Sequence, residues 1–236
     1  MNCDFFVQHP AVNQVVRYLD KTAGREKSLR LLQYLCRVIA ALQGSPGSNA
    51  PRLAAQFALT RKLLRFLKPI NHLQNAAKLH ANTLLADPVA RTLGIVRQLG
   101  YAAYLTLDQV NLLRILGILP STPGTAKRVP RWANWCWAIA LSAALLLDGR
   151  KLQVARTKLA ELGQSNEDED EKNKAARKDA AIQQHGAVRK LAWDALDAFI
   201  VANNLGFLSA GEEYVGVAGV VTSIMGAGEV WDGCAQ

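Results

Sequence analysis

Apolar residues recur along most of this chain at spacings of three and four, which is the period of an α-helix. Residues 25–43 show the pattern clearly, with leucines on one side of the expected helix and basic residues on the other. No sustained alternation of period two, the pattern of a β-strand, is present. The pattern therefore predicts an all-α protein.

Breaks in this pattern divide the chain into expected helices. We predict helices over residues 10–21, 25–43, 51–86, 88–119, 132–147 and 172–208. Pro69 removes a backbone donor, so we expect the third helix to kink or break near Lys68. Residues 120–130 contain three prolines and are predicted to form a loop. Four consecutive regions follow from this division: the basic amphipathic region 1–120, the loop and hydrophobic helix of 121–164, the acidic linker 165–180, and the C-terminal helix with its glycine-rich hydrophobic end, 181–236.

The most informative stretch, residues 57–80, is strongly two-sided and contains no acidic residue. Wound at about 100° per residue, it gathers leucines, an isoleucine and a phenylalanine on one side and basic residues on the other. The expected apolar side consists of Leu59, Leu63, Phe66, Leu67, Ile70 and Leu73. The expected basic side consists of Arg61, Lys62, Arg65, Lys68 and Lys78, together with His72.

A helix of this kind is typical of the membrane interface. Leucine and phenylalanine enter the acyl boundary, while lysine and arginine contact the phosphates of anionic phospholipids. The alternative is a helix that packs its apolar side on the core of its own protein. The absence of acids favours the membrane, because ordinary surface helices mix both signs of charge. We therefore predict that residues 57–80 insert into anionic membranes.

Two uncharged runs are candidates for membrane-embedded helices. Residues 132–147 carry no charge over sixteen positions, and residues 214–228 carry none over fifteen. Both are shorter than the roughly 20 residues that a spanning helix needs. The first is equally typical of a buried core helix, and the second of a flexible end, although Gly216 and Gly219 permit close helix pairing. We expect a membrane-associated helical bundle with one or two such short helices.

Asp108, Asn111 and Arg114 form a polar stripe on an otherwise apolar helix. Such a stripe can line an aqueous path or join helices within a membrane. More often, such a stripe is the solvated edge of a packed helix. If these residues line an oligomeric pore, the protein is a channel for small metabolites.

The charge is unevenly distributed. The whole chain carries +9, with +15 in residues 1–164 and −6 in residues 165–236. A basic protein can bind nucleic acid, but the basic residues here lie beside wide leucine-rich faces, so lipid is the better anion. The cysteines and histidines lack metal-ligand spacing, and no catalytic motif is present. We therefore expect no metal, no cofactor, no enzymatic activity and no nucleic-acid partner.

Several blocks of sequence along nearly the whole chain are distinctive. The first block pairs Cys3 and Asp4 with His9 and Pro10. The others are residues 24–34, 66–73, 107–116, 130–137, 203–206, 212–216 and 219–226. These blocks occur in order, and together they specifically resemble the fungal type of the peroxin-11 family.

This resemblance implies a protein of the peroxisomal membrane that promotes elongation and division of peroxisomes. In the family, a basic amphipathic helix that matches residues 57–80 inserts into anionic bilayers and tubulates them. The resemblance also implies self-association into homo-oligomers. It further implies cooperation with a dynamin-related fission GTPase and its adaptors, and delivery by the import receptor for peroxisomal membrane proteins. A pore for small metabolites is a second role proposed in the family.

Overall fold

A computed structural model describes residues 9–44, 48–82, 87–163 and 171–234. These residues form eight α-helices and contain no β-strand, so the predicted all-α class is confirmed. The helices are α1 Pro10–Asp20, α2 Thr22–Gln43, α3 Ala50–Leu64, α4 Pro69–Ala81, α5 Pro88–Ile115, α6 Pro123–Gly163, α7 Glu171–Leu205 and α8 Glu212–Asp232.

Local chemistry sets several of these boundaries. Helix α2 ends at Gly44, whose φ of 54° is left-handed and therefore suits glycine. Helix α5 begins after Asp87, whose side chain accepts hydrogen bonds from the backbone N–H groups of Val89 and Ala90 at 3.0 and 3.2 Å. An aspartate in this position satisfies donors that the first helical turn leaves free.

The predicted loop over residues 120–130 is wrong from Pro123 onward, because α6 begins there and contains Pro130. Thr122 and Thr125 exchange two hydrogen bonds of 3.0 and 3.2 Å between backbone N–H and side-chain hydroxyl. This reciprocal cap begins the helix early, and proline at the first helical position costs no hydrogen bond. The apolar run 132–147 is therefore the middle of one helix of 41 residues, not a separate short helix.

The acidic linker is shorter than predicted. Helix α7 begins at Glu171, so the second half of the expected linker 165–180 is helical. Residues 164–170, with most of the acidic run, lie outside the described residues.

The chain divides into two compact units, each assembled from separate stretches. Unit 1 comprises Met1–Leu67, Asp108–Pro130 and Ala202–Gln236, and unit 2 comprises Lys68–Leu107 and Arg131–Val201. Helices α5, α6 and α7 contribute residues to both units. The four regions predicted from the sequence are consecutive, whereas the units are not.

In unit 1, helix α2 is central and packs against α1, α3 and α8. Helix α8 approaches it at two glycines: a Cβ on Gly216 would lie 2.6 Å from Cγ2 of Val38, and one on Gly219 would overlap the Tyr34 ring. The sequence leaves close helix pairing and a flexible end open for this segment, and in the structure the two glycines allow the close approach of α2 and α8. The glycine-rich end of the chain is thus a helix with a packed side.

In unit 2, the core is formed largely by one side of α6. Ala140 and Ala144 are fully buried, and Ala140 lies where a Cβ on Gly100 of α5 would meet it at 2.9 Å. Tyr104 of α5 stacks on Trp137 with ring centroids 5.4 Å apart. The interpretation of residues 132–147 as a core helix is therefore correct for this side, while Trp132 on the other side is exposed.

Candidate functional site

Residues 57–80 break where the sequence predicts. Helix α3 ends at Leu64, and α4 begins at Pro69. Between them Leu67 has a φ of 60°, the one positive value among the described non-glycine residues. The left-handed conformation costs an L-residue about 1–2 kcal/mol, so the surrounding contacts must hold this turn in place.

The basic side of α3 points into unit 1. Arg61 is only 9% exposed, and its guanidinium donates hydrogen bonds of 2.9 and 2.7 Å to one carboxylate oxygen of Glu26 on α2. It also donates to the side-chain oxygen of Gln33 at 2.6 Å. Arg61 therefore does not reach lipid phosphates in this conformation, contrary to what the sequence pattern indicates.

The positive charges near Glu26 keep its carboxylate ionised. Burial alone would raise the pKa of Glu26, but the positive charges of Arg61, Lys27 and Arg65 lower it to about 2. The carboxylate stays ionised because a buried guanidinium stabilises it more than burial disfavours it. Sequence reasoning missed Glu26 as a functional residue. One feature of the sequence could have indicated it. Residues 57–80 contain no acid, so any of their basic residues that are buried require an acid from another helix.

A second acid holds the end of α3. Asp108 of α5 is buried and pairs with Lys62, and also with Arg65 at 2.9 Å. The next residue, Gln109, donates a side-chain hydrogen bond of 3.1 Å to the backbone carbonyl of Arg65. Both side chains stabilise the turn that follows α3, because they bind its last basic residues and a carbonyl that the helix leaves free.

Asn111 and Arg114 extend this polar stripe. The guanidinium of Arg114 donates hydrogen bonds of 3.2 and 2.7 Å to the side-chain oxygen of Asn111 and one of 2.9 Å to the Ser121 hydroxyl. Asp108 and Asn111 are buried, so the stripe is not a solvated edge along its whole length. Each of the three residues has a polar partner within unit 1.

The remaining basic residues predicted to contact lipid lie in unit 2 and are placed differently. Lys68 and Lys78 are exposed. His72 is half-buried: its Nδ1 lies 2.7 Å from the side-chain oxygen of Gln98, and its ring stacks on Tyr101. Burial lowers its pKa, and the nearby Lys68 and Arg97 add to this effect. His72 is therefore not the solvated or interfacial side chain that the sequence pattern indicates.

The apolar side of residues 57–80 is open. In unit 1, Leu63, Phe66 and Leu67 are exposed, with Phe66 showing 52% of its surface, while Leu59 is half-buried. In unit 2, Ile70 and Leu73 are exposed as well. Five of the six predicted apolar residues thus present large hydrophobic side chains to solvent, which a folded protein rarely does in one short stretch.

Helix α8 has a second exposed apolar side. Among the described residues it is the one helix with the length and apolar composition to cross a membrane. Its 21 residues extend about 31 Å at 1.5 Å per residue, close to the hydrocarbon thickness of a bilayer. The exposed residues follow helical spacing: Tyr214, Val217, Val221 and Ile224. The opposite side binds α2, where the Arg30 guanidinium donates 2.9 Å to the Thr222 hydroxyl.

The described residues contain no group of three or more histidine, cysteine, aspartate or glutamate side chains that would hold a metal ion. Cys36, Cys136 and Cys234 are free thiols. In unit 1 the candidate site is a surface of exposed apolar side chains, and the buried ion pairs of Arg61, Lys62 and Arg65 lie on the other side of the same stretch.

Several known proteins are similar to this chain along nearly its whole length. The family model of peroxisomal biogenesis factor 11 (PEX11) matches residues 12–231. The chain is 50% identical to the peroxisomal membrane protein PMP27 of Saccharomyces cerevisiae over 98% of this chain and 99% of that protein. It is 30% identical to the peroxisomal membrane protein PMP30A of Candida boidinii, over 96% of each chain. It is 21% identical to peroxisomal biogenesis factor 11 of Schizosaccharomyces pombe, over 96% of this chain and 97% of that protein. No solved structure matches this chain.

Proposed function

This chain belongs to the PEX11 family of peroxisomal membrane proteins, and from that premise we propose that it elongates the peroxisomal membrane by inserting the apolar side of residues 57–80. The open apolar side of this stretch is the observation that carries the proposal. An apolar surface of this kind needs a partner, and the membrane is the partner always present. Insertion into one leaflet expands that leaflet and curves the bilayer. The result is tubulation, which precedes fission and proliferation of peroxisomes.

Apolar insertion contributes more of the binding energy than charge does. A fully buried leucine or phenylalanine gains about 1.5–3 kcal/mol, so five half-exposed side chains gain on the order of 5 kcal/mol together. Exposed Lys68 and Lys78 each add about 1 kcal/mol on an anionic leaflet. Arg61, Lys62 and Arg65 add to lipid binding only after they leave Glu26 and Asp108. We therefore propose that anionic lipid strengthens binding without being its main source.

Self-association, and recruitment of a dynamin-related fission GTPase with its adaptors, are further parts of this proposal. They rest on the resemblance to the family, as does delivery by the import receptor for peroxisomal membrane proteins. We propose a role in membrane shape without catalysis, in keeping with a family that is named for organelle biogenesis. A metabolite channel is not favoured, because contacts within unit 1 account for Asp108, Asn111 and Arg114.

The test uses the full chain and vesicles with or without anionic phospholipid. Wild type should bind and tubulate the vesicles, more strongly when the lipid is anionic. Phe66→Glu should abolish tubulation, because it places a charge where the side chain must enter the acyl region. Leu53→Glu is the matched control: Leu53 is equally exposed and lies on α3, but outside residues 57–80.

Arg65→Glu is a poor probe of lipid binding, because it also breaks the ion pair with Asp108. Lys68→Glu and Lys78→Glu test the charge instead, since both lysines are exposed. They should weaken binding to anionic vesicles and leave binding to neutral vesicles unchanged. If Phe66→Glu tubulates as well as Leu53→Glu does, insertion through this stretch is refuted.

A further inference from the structure

Two aspartates are buried against each other in unit 2. Asp148 of α6 is 1% exposed and Asp194 of α7 is 4% exposed. A protein interior rarely holds an aspartate without a full set of partners, because burial of an ionised carboxylate costs several kcal/mol. Membrane insertion through residues 57–80 does not involve these two residues.

The cations around this pair are less buried than the two carboxylates. Arg97 of α5 places a guanidinium nitrogen 3.7 Å from Asp194. The ammonium of Lys151 lies 3.8 Å from Asp148, but the Lys151 side chain is 56% exposed and water screens its charge. Lys190 of α7 also attracts Asp194, while its ammonium lies over the Trp193 ring at 4.4 Å. Two half-buried cations and one exposed cation thus face two buried acids.

The hydrogen-bonding partners of the pair indicate that one of the two carboxyl groups carries a proton. Neither carboxylate oxygen of Asp148 accepts a hydrogen bond from an N–H or O–H group of the described residues. Its hydrogen-bonding neighbour is Asp194, and two carboxyl groups can bond only if one of them carries a proton. Burial, and then the contact with Asp148, raise the pKa of Asp194 to about 7 against the opposing charge of Arg97.

A cavity of about 430 Å³ lies beside Asp148. Its lining includes small residues such as Ala90 and Ala187. The lining also contains the charged residues Arg150, Lys151 and Lys190, so the cavity offers polar partners and room for water beside α6 and α7. Unit 2 can therefore solvate a second negative charge if the two helices move apart.

We propose that Asp148 and Asp194 form a proton-binding site that holds α6 and α7 together, and that loss of the shared proton loosens these helices around the cavity. The proton transfers from the carboxyl pair to water and leaves two buried negative charges, while the nearby cations Arg97, Lys151 and Lys190 are partly exposed to water. Repulsion between the two carboxylates then favours the open arrangement. Unit 2 responds in this way to the pH of the compartment that it faces.

The direction of the effect follows from linkage. A carboxyl with a raised pKa in the folded state keeps its proton over a range of pH where the unfolded chain has lost it. The stabilisation that this proton gives the folded state is therefore complete at and below the unfolded pKa of about 4, and it is lost as the pH rises to about 7. Between pH 5 and pH 7 the equilibrium constant for opening should rise by roughly a hundredfold, tenfold per pH unit.

Hydrogen exchange of the full-length protein in lipid vesicles, measured at pH 5, 6, 7 and 8, tests this proposal. After correction for intrinsic exchange, protection of α6 and α7 should fall between pH 5 and pH 7 in wild type. Asp194→Asn should remove this fall, because the amide hydrogen-bonds Asp148 at every pH. Asp148→Asn should act in the same way, and it serves if the first variant does not fold.

Asp179→Asn is the matched control, since Asp179 is an exposed aspartate on the same helix. This variant should keep the pH dependence of wild type. The proposal is overturned if Asp194→Asn and Asp148→Asn both keep that dependence, or if the loss of protection falls outside α6 and α7. Neither outcome bears on vesicle tubulation by residues 57–80, so the two proposals are tested separately.

Discussion

The buried ion pair between Glu26 and Arg61 gives the sharpest prediction for unit 1. Glu26→Gln keeps the shape of the side chain but removes its charge, and it leaves the Arg61 guanidinium buried without a counter-ion. Removal of one partner from a buried pair typically costs 3–5 kcal/mol. The variant should therefore lose a large part of the protein's stability.

The pKa of Glu26 gives an independent magnitude. A fall from 4.5 to about 2 corresponds to about 3 kcal/mol at pH 7, at 1.36 kcal/mol per unit. Since the folded pKa is depressed, this stabilisation is present above the unfolded value of about 4.5. It is lost as the pH falls toward about 2. The glutamine variant should lack this acid-dependent part of the unfolding curve.

Urea unfolding of the full chain in detergent micelles, followed by circular dichroism, measures both effects. The control is Glu212→Gln, which breaks the ion pair of Glu212 with Arg37. The side chain of Glu212 is 63% exposed, so this change should cost less than about 1 kcal/mol. If the two variants are equally stable, or if Glu26→Gln keeps the acid dependence of wild type, the buried pair does not support α3 as reasoned here.

Three further changes test other parts of the structure. Gly219→Ala should destabilise unit 1 by about 1–3 kcal/mol in the same urea unfolding assay, because the new Cβ overlaps the Tyr34 ring. Gly149→Ala should be neutral or stabilising, because no atom lies within 4 Å of its new Cβ. Asp108→Asn should increase hydrogen exchange at the end of α3, because its two basic partners lose their carboxylate; unchanged exchange there would contradict the role of this pair. Wild type should lose stability below pH 6.5, because burial lowers the folded pKa of His72 and favours the neutral form, and His72→Gln should remove this loss. Thermal melting of both proteins from pH 5 to pH 8 measures the effect, and the same pH dependence in wild type and variant would contradict it.

Local sequence was sufficient for the features that depend on neighbouring residues. The period of apolar residues predicted an all-α chain, and Pro69 predicted the break between α3 and α4. Gly216 and Gly219 indicated that a second helix could approach closely, which it does in the structure. Each of these features is set by backbone geometry or side-chain size at one place in the chain. The loop prediction failed at Pro123 because it considered only the prolines. The helix cap that Thr122 and Thr125 form was not considered.

Only the tertiary structure decided what the charged residues do. The periodicity of residues 57–80 correctly separated basic from apolar positions, but it assigned the basic side to lipid. In the folded protein, Glu26 comes from a helix 35 positions earlier and Asp108 from one 46 positions after Lys62, and both bind that side internally. A periodic pattern records which residues share a face; the partner of that face depends on long-range contacts that no local spacing encodes. At α3 the apolar side is therefore exposed because distant acids hold Arg61, Lys62 and Arg65 inside the fold, whereas Lys68 and Lys78 remain exposed.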